Sequence, residues 1–224
     1  MGKLSAPFLP HERISLRTAI CSLAVGVGLV APLVVFLACL PLPHSPDADA
    51  DQKQRLLEHA AHPGALFFKA VIFFPLVEEI FYRGIILQTL RRYFSGGFAV
   101  SFSAAFFGVT HLGQGIATAL NAFLLGCFFA WLVMRSRSLY PAVLCHAAFN
   151  FSWLFVLVPA FGLNEKVQQH PTGSLSPLEI FPMWWVLISV GVVSAGLFTL
   201  AKEFSEKACR TSLQATADAQ GSDA

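Results

Sequence analysis

The sequence predicts an all-α, polytopic membrane protein: a bundle of about six transmembrane helices enclosing a buried polar site. Three observations carry that expectation. First, 55% of the 224 residues are hydrophobic and only 12% charged, with 22 phenylalanines, whereas globular domains run at about 45–50% apolar and ~25% charged. Second, the apolar residues are blocked into segments at 18–42, 65–90, 98–112, 115–134, 139–162 and 178–201. A spanning helix takes about 20 such residues, and backbone amides in lipid must be satisfied within the helix itself. Third, Lys and Arg crowd one set of flanks. Ten of them (Lys3, Arg13, Arg17, Arg91, Arg92, Arg135, Arg137, Lys202, Lys207, Arg210) fall on one side of a six-crossing topology, against Lys53, Arg55 and Lys166 on the other. The positive-inside bias then places both termini in the cytoplasm.

Taken in order, residues 1–17 form a cytoplasmic N-terminal segment. The first apolar block exceeds the 7–15 residues of a signal-peptide core and follows a mostly polar stretch, so it is expected to be a retained span. Residues 44–64 make an extramembrane loop with room for a short helix. Segment 98–112 is short for a span and suits a tilted, partly re-entrant or protein-buried helix. Residues 18–204 constitute a single transmembrane domain, and the small polar tail at 205–224 is expected to be disordered. The cysteines (Cys21, Cys39, Cys127, Cys145, Cys209) form no CxxC pair and read as small core residues. The expected setting is a cell membrane of the bacterial inner-membrane type, with the bilayer and a membrane-anchored protein or peptide as partners and no nucleic acid.

Against this apolar background the stretch "FFPLVEEIFYRG", residues 73–84, stands out. Three ionised groups at mid-span cost about 8–10 kcal/mol on insertion scales, and the 15 Val, Ile, Leu and Phe residues of 65–90 return about 4–9 kcal/mol. Glu78, Glu79 and Arg83 must therefore face partners or a wet cavity. Glu79 and Arg83 are four apart, so they share a helix face in the favourable acid-before-base order and read as an architectural pair. Glu78 points about 100° away. One arginine does not serve both acids, and an acid left over is suited to take and give a proton. Pro75 removes a backbone hydrogen bond beside the site and predicts a kink.

Two other spans carry polar groups: His111 in "FFGVTHLGQG", and His146 with Asn150 in "LYPAVLCHAAFNF". Singly, each could be a hydrogen-bonding link between helices. Their depths agree, however. Glu78 lies 14 residues before Arg92, His111 14 after Gly97 and Asn150 13 after Arg137. At ~1.5 Å per residue each is about 20 Å from the same edge, with His146 one turn shallower. Such a set meets the needs of peptide hydrolysis by water. Glu78 with His111 can hold and activate the water, and His146 with Asn150 can donate to the developing oxyanion. Cys145 adjoins His146, but helix neighbours point ~100° apart, which disfavours a Cys–His dyad.

"EEIFYR" (78–83) resembles the EExxxR motif of the CPBP intramembrane proteases, the family of CAAX prenyl endopeptidases and of bacteriocin-processing or immunity relatives. "FGVTH" (107–111) resembles its FxxxH motif and "HAAFN" (146–150) its HxxxN motif, in the family's order over about residues 65–155. The resemblance implies a glutamic-type intramembrane endopeptidase. Glu78 and His111 would activate water, His146 and Asn150 would form the oxyanion hole, and Glu79 and Arg83 would support the site. It also implies a substrate cleaved near its C-terminus, without a metal cofactor. Two other readings stay open. Glu78, His111 and His146 could be a zinc site of the His₂Glu type, although no HExxH helix is present. The chain could instead be a non-catalytic binding or immunity protein, or a proton-coupled carrier subunit; the small span count and lack of an internal repeat weigh against a carrier.

Overall fold

The computed structural model describes residues 10–42, 62–161 and 181–221. The expected loop at 44–64 lies, but for its last three residues, outside the described residues. We number the helices α1 (Leu16–Ala38), α2 (residues 63–90), α3 (Gly96–Val109), α4 (Ile116–Ser136), α5 (Tyr140–Ala160) and α6 (Met183–Gly221). The described residues are helical apart from short turns and contain no strand beyond one isolated bridge. The chain is an all-α polytopic membrane protein. Helices α1, α4 and α5 and the Met183–Gln214 part of α6 are long and apolar enough to cross a membrane. Helix α2 is of comparable length but carries Lys69, Glu78, Glu79 and Arg83.

Helix α3, at 14 residues, is about 20 Å long against a ~30 Å hydrocarbon core. It packs along α4, while α1 packs on α5 and α6, and α5 on α2 and α4. Val25, Val30, Phe129, Leu132, Phe149 and Leu200 form the main core between them. The aromatics at Phe98, Phe102, Phe106, Phe74 and Phe81 face outward, as lipid-facing side chains of a spanning bundle do.

A clasp closes one end of the bundle. Leu139 N–H donates to the Pro10 carbonyl (3.1 Å) and Glu12 N–H to the Arg137 carbonyl (3.2 Å). The Glu12 carboxylate pairs with Lys207 at 2.6 Å and lies 3.7 Å from Arg137, and Ser15 bonds Glu203. Arg137 itself adopts the left-handed conformation, φ 55°, unusual for a residue with a Cβ, and its carbonyl and side chain are both held by Glu12. The basic flanks of α1, α4 and α6 thus meet at one end. Gly96, at the start of α3, lies there too, against Met134 of α4.

Two details differ from expectation. The predicted kink at Pro75 takes the form of a wider helix: residues 68–73 are π-helical, with Phe74 N–H bonded to the Lys69 carbonyl. A π turn carries one extra residue and gives the proline ring, which clashes with the carbonyl four residues back in an α-helix, a looser turn to sit against. The expected disorder beyond 205 is not what is observed: α6 continues without a break to Gly221. Low hydrophobicity argues against packing, not against helix. Residues 206–214 include Glu206, Lys207, Ala208, Arg210, Leu213 and Gln214, all good helix formers, and they only extend a helix already nucleated.

Candidate active site

Glu78 and Glu79 lie midway along α2, between two π-helical stretches at Phe68–Phe73 and Ile80–Ile86. Their neighbours differ sharply. Glu79 is fully buried and accepts from Arg83 Nη1 at 3.1 Å, both side chains being 0% exposed. Its same oxygen, Oε1, accepts from His146 Nδ1 at 3.0 Å. Glu78 is 26% exposed on its side chain, and its Oε2 stands 3.6 Å from His146 Nε2, beyond a direct hydrogen bond. His146 therefore sits between the two acids, bonded to the buried one and turned toward the accessible one.

The guanidinium of Arg83 is packed among rings, 4.6 Å from the Phe107 centroid, 5.4 Å from Phe129 and 5.7 Å from Tyr82. Cation–π attraction gains strength where water is excluded, so these rings replace solvation that the arginine lost. Phe107 also touches His111 edge-on at 4.7 Å and His146 at 6.0 Å, and Phe129 stacks on His146 at 4.9 Å. Gly126 of α4 makes this closeness possible. A Cβ there would lie 3.1 Å from Arg83 Nη2 and from Ala104, so the glycine lets α4 close over the arginine.

His111 is not on a helix. Helix α3 ends at Val109, and His111 (φ −98°, ψ 0°) opens a 3₁₀ turn at Leu112–Gln114. Its conformation is the sparsely populated bridge region in which many active-site residues are found. Gly115, at φ 103°, ends the turn in a conformation only glycine adopts freely, and α4 begins at the next residue. The Nδ1–H of His111 donates to the Phe107 carbonyl at 2.8 Å. That bond places a proton on Nδ1, so in the neutral ring Nε2 is the lone-pair acceptor.

Asn150, one turn beyond His146 on α5, donates from Nδ2 to the Ala70 carbonyl at 2.8 Å. Ala70 lies in the first π stretch of α2, so the amide ties α5 to α2. It also fixes which end of the amide carries the nitrogen and leaves its second N–H uncommitted. Cys145 is fully buried in the core cluster. Among the described residues, no three His, Cys, Asp or Glu side chains are grouped to hold a metal ion.

The family model for the type II CAAX prenyl endopeptidase Rce1-like proteins matches residues 60–152. No curated protein and no solved structure matches the chain. The matched segment runs from just before α2 to Ser152 on α5 and contains every sequence-predicted site residue. Of these, Glu78, Glu79, Arg83 and His146 form one connected group, His111 joins it through the ring of Phe107, and Asn150 is bonded to α2. Sequence reasoning missed Phe129, Gly126, Tyr82 and Thr110. Phe129 and Gly126 are ordinary span residues by type. Tyr82 carried one usable signal, a phenol hydroxyl four residues from Glu78 within an apolar span.

Proposed function

We propose that this chain is an intramembrane endopeptidase of the glutamic type, acting on a membrane-anchored protein near its C-terminus. The observation that carries the reading is the unequal placement of the two adjacent glutamates. Glu79 Oε1 accepts from both Arg83 and His146 in a fully buried position, while the partly exposed Glu78 stands 3.6 Å from the other ring nitrogen of the same histidine. The match to the Rce1-like family model supports the reaction class, membrane endopeptidase.

In this mechanism Glu78 and His111 Nε2 hold a water between them, and Glu78 takes its proton as the oxygen attacks the scissile carbonyl carbon. The carbonyl π electrons move onto oxygen. That oxyanion receives hydrogen bonds from His146 Nε2–H and from the second amide N–H of Asn150, both on one face of α5. The tetrahedral intermediate then collapses, the C–N bond breaks, and Glu78 returns the proton to the departing amine. Charge balance fits these roles. Two carboxylates face one guanidinium, so one proton shared between Glu78 and His146 makes the buried group neutral whichever holds it. With the proton on His146, Nδ1–H serves Glu79 and Nε2–H is free for the oxyanion.

Asn150→Ala is expected to lower kcat by about 10²–10³, the usual cost of one oxyanion donor. It should also lower thermal stability by about 1 kcal/mol through the lost bond to Ala70. Kinetics and unfolding of the purified variant read the two effects separately. The zinc reading, with Glu78, His111 and His146 as ligands, is second, because no three His, Cys, Asp or Glu side chains are grouped to hold a metal ion among the described residues. Activity is expected to be indifferent to a strong chelator; loss of cleavage restored by added zinc would promote the zinc reading over ours.

A further inference from the structure

The catalytic pairing proposed above needs His111, on the turn after α3, to stay in register with Glu78 on α2. The two residues belong to different elements, and the His111 turn lies outside any helix that would hold it. A connection between them is visible at Tyr82. Its ring is enclosed by Phe81, Phe106 and Phe107 at centroid distances of 5.1, 5.8 and 4.9 Å, and the residue is 7% exposed. Its hydroxyl is 3.0 Å from Oγ1 of Thr110, the residue before His111.

The direction of that bond follows from proton counting. Thr110 has one hydroxyl proton, and it is given to the Phe107 carbonyl at 2.8 Å. Oγ1 is then an acceptor toward Tyr82, whose O–H must be the donor. The same Phe107 carbonyl accepts the Nδ1–H of His111, also at 2.8 Å. A single chain of bonds thus runs from the phenol through Thr110 to the carbonyl that selects the tautomer of His111. Ser103 adds a second tie between α2 and α3, donating to the Tyr82 carbonyl at 2.9 Å.

We infer that Tyr82 is a positioning residue for the proposed reaction: its hydroxyl latches the His111 turn onto α2 and so holds His111 in register with Glu78. The inference rests on the glutamic reading for its consequence in turnover, but not for the latch itself. Glu78 and Tyr82 are four apart on α2, so one helical turn of α2 sets the spacing between the acid and the imidazole it works with. The hydroxyl touches no reacting atom. A register error of about 1 Å in such a group is enough to slow turnover ~10²-fold.

The test is Tyr82→Phe, which keeps the ring in its aromatic enclosure and removes only the donor. Full-length protein labelled with ¹⁵N-histidine and held in lipid nanodiscs reports the tautomer of His111 without any substrate. Wild type is expected to show one Nδ1–H form, and Tyr82→Phe a tautomer-averaged or exchange-broadened signal. Thr110→Ser should keep the wild-type signal and Thr110→Val should lose it. An unchanged His111 signal in Tyr82→Phe would overturn the latch. Turnover is measured in parallel on a dye–quencher peptide ending in a single apolar span, and on a farnesylated CAAX peptide. Tyr82→Phe should lose about 10–100-fold in kcat with KM unchanged, and the double variant with Thr110→Val should be no worse than either alone. Multiplicative losses in the double variant would contradict the shared bond. Glu78→Gln run beside them separates the two ideas: full activity there sinks the glutamic reading, whereas full activity in Tyr82→Phe alone sinks only the latch.

Discussion

Glu78→Gln protein is expected to insert, fold with wild-type yield and turn over substrate about 10⁴-fold more slowly, the upper end of what proton transfer by one side chain supplies. The upper end applies because the proposed mechanism uses Glu78 twice, first to take a proton from water and then to give it to the leaving amine. A carboxamide does neither. The fold should not notice, since glutamine has nearly the same shape and Glu78, at 26% exposure, makes no direct hydrogen bond among the described residues; its Oε2 stands 3.6 Å from His146 Nε2. Steady-state kinetics paired with thermal unfolding distinguishes this from a general loss of structure. A variant that melts early would move Glu78 from chemistry to architecture.

Arg83→Ala is expected to do the reverse. Removing one partner of a fully buried ion pair costs about 3–5 kcal/mol, because the other charge is stranded in a low-dielectric interior. Here the stranded group is Glu79, 0% exposed and left with only His146. The loss goes further than charge. The guanidinium fills the space between Phe107, Phe129 and Tyr82, so alanine also opens a cavity among rings that position both histidines. That sum is comparable to the whole stability of many domains. The expected readout is a collapse in the yield of monodisperse protein after detergent extraction. Stable Arg83→Ala protein that is merely slow would show that the arginine serves catalysis directly.

The charge pattern was the most legible part of the molecule. Ionised residues within an apolar span admit few placements, and an i, i+4 spacing assigns Glu79 to Arg83 without any knowledge of the fold. The depth argument also brought His111, His146 and Asn150 toward Glu78, because rise per residue is nearly constant in a helix. What could not be read depends on contacts between distant parts of the chain. The bond from Asn150 to the Ala70 carbonyl joins residues 80 apart, and the bridging of both glutamates by His146 requires the actual crossing of α2 and α5. The widening of α2 before Pro75 is a choice between kink and π turn that neighbouring helices decide. The helix at 206–221 runs against the disorder that low hydrophobicity predicts, because its residues favour helix and continue an existing one.

The most direct measurement compares purified wild-type and Glu78→Gln protein on C-terminal segments of membrane-anchored proteins, with cleavage products read by mass spectrometry in the presence and absence of a chelator. Defined cleavage by wild type that is lost in Glu78→Gln and untouched by the chelator is the result expected if Glu78 moves the proton while Glu79 holds the site together. Cleavage that survives Glu78→Gln would contradict that division of labour between the two neighbouring acids.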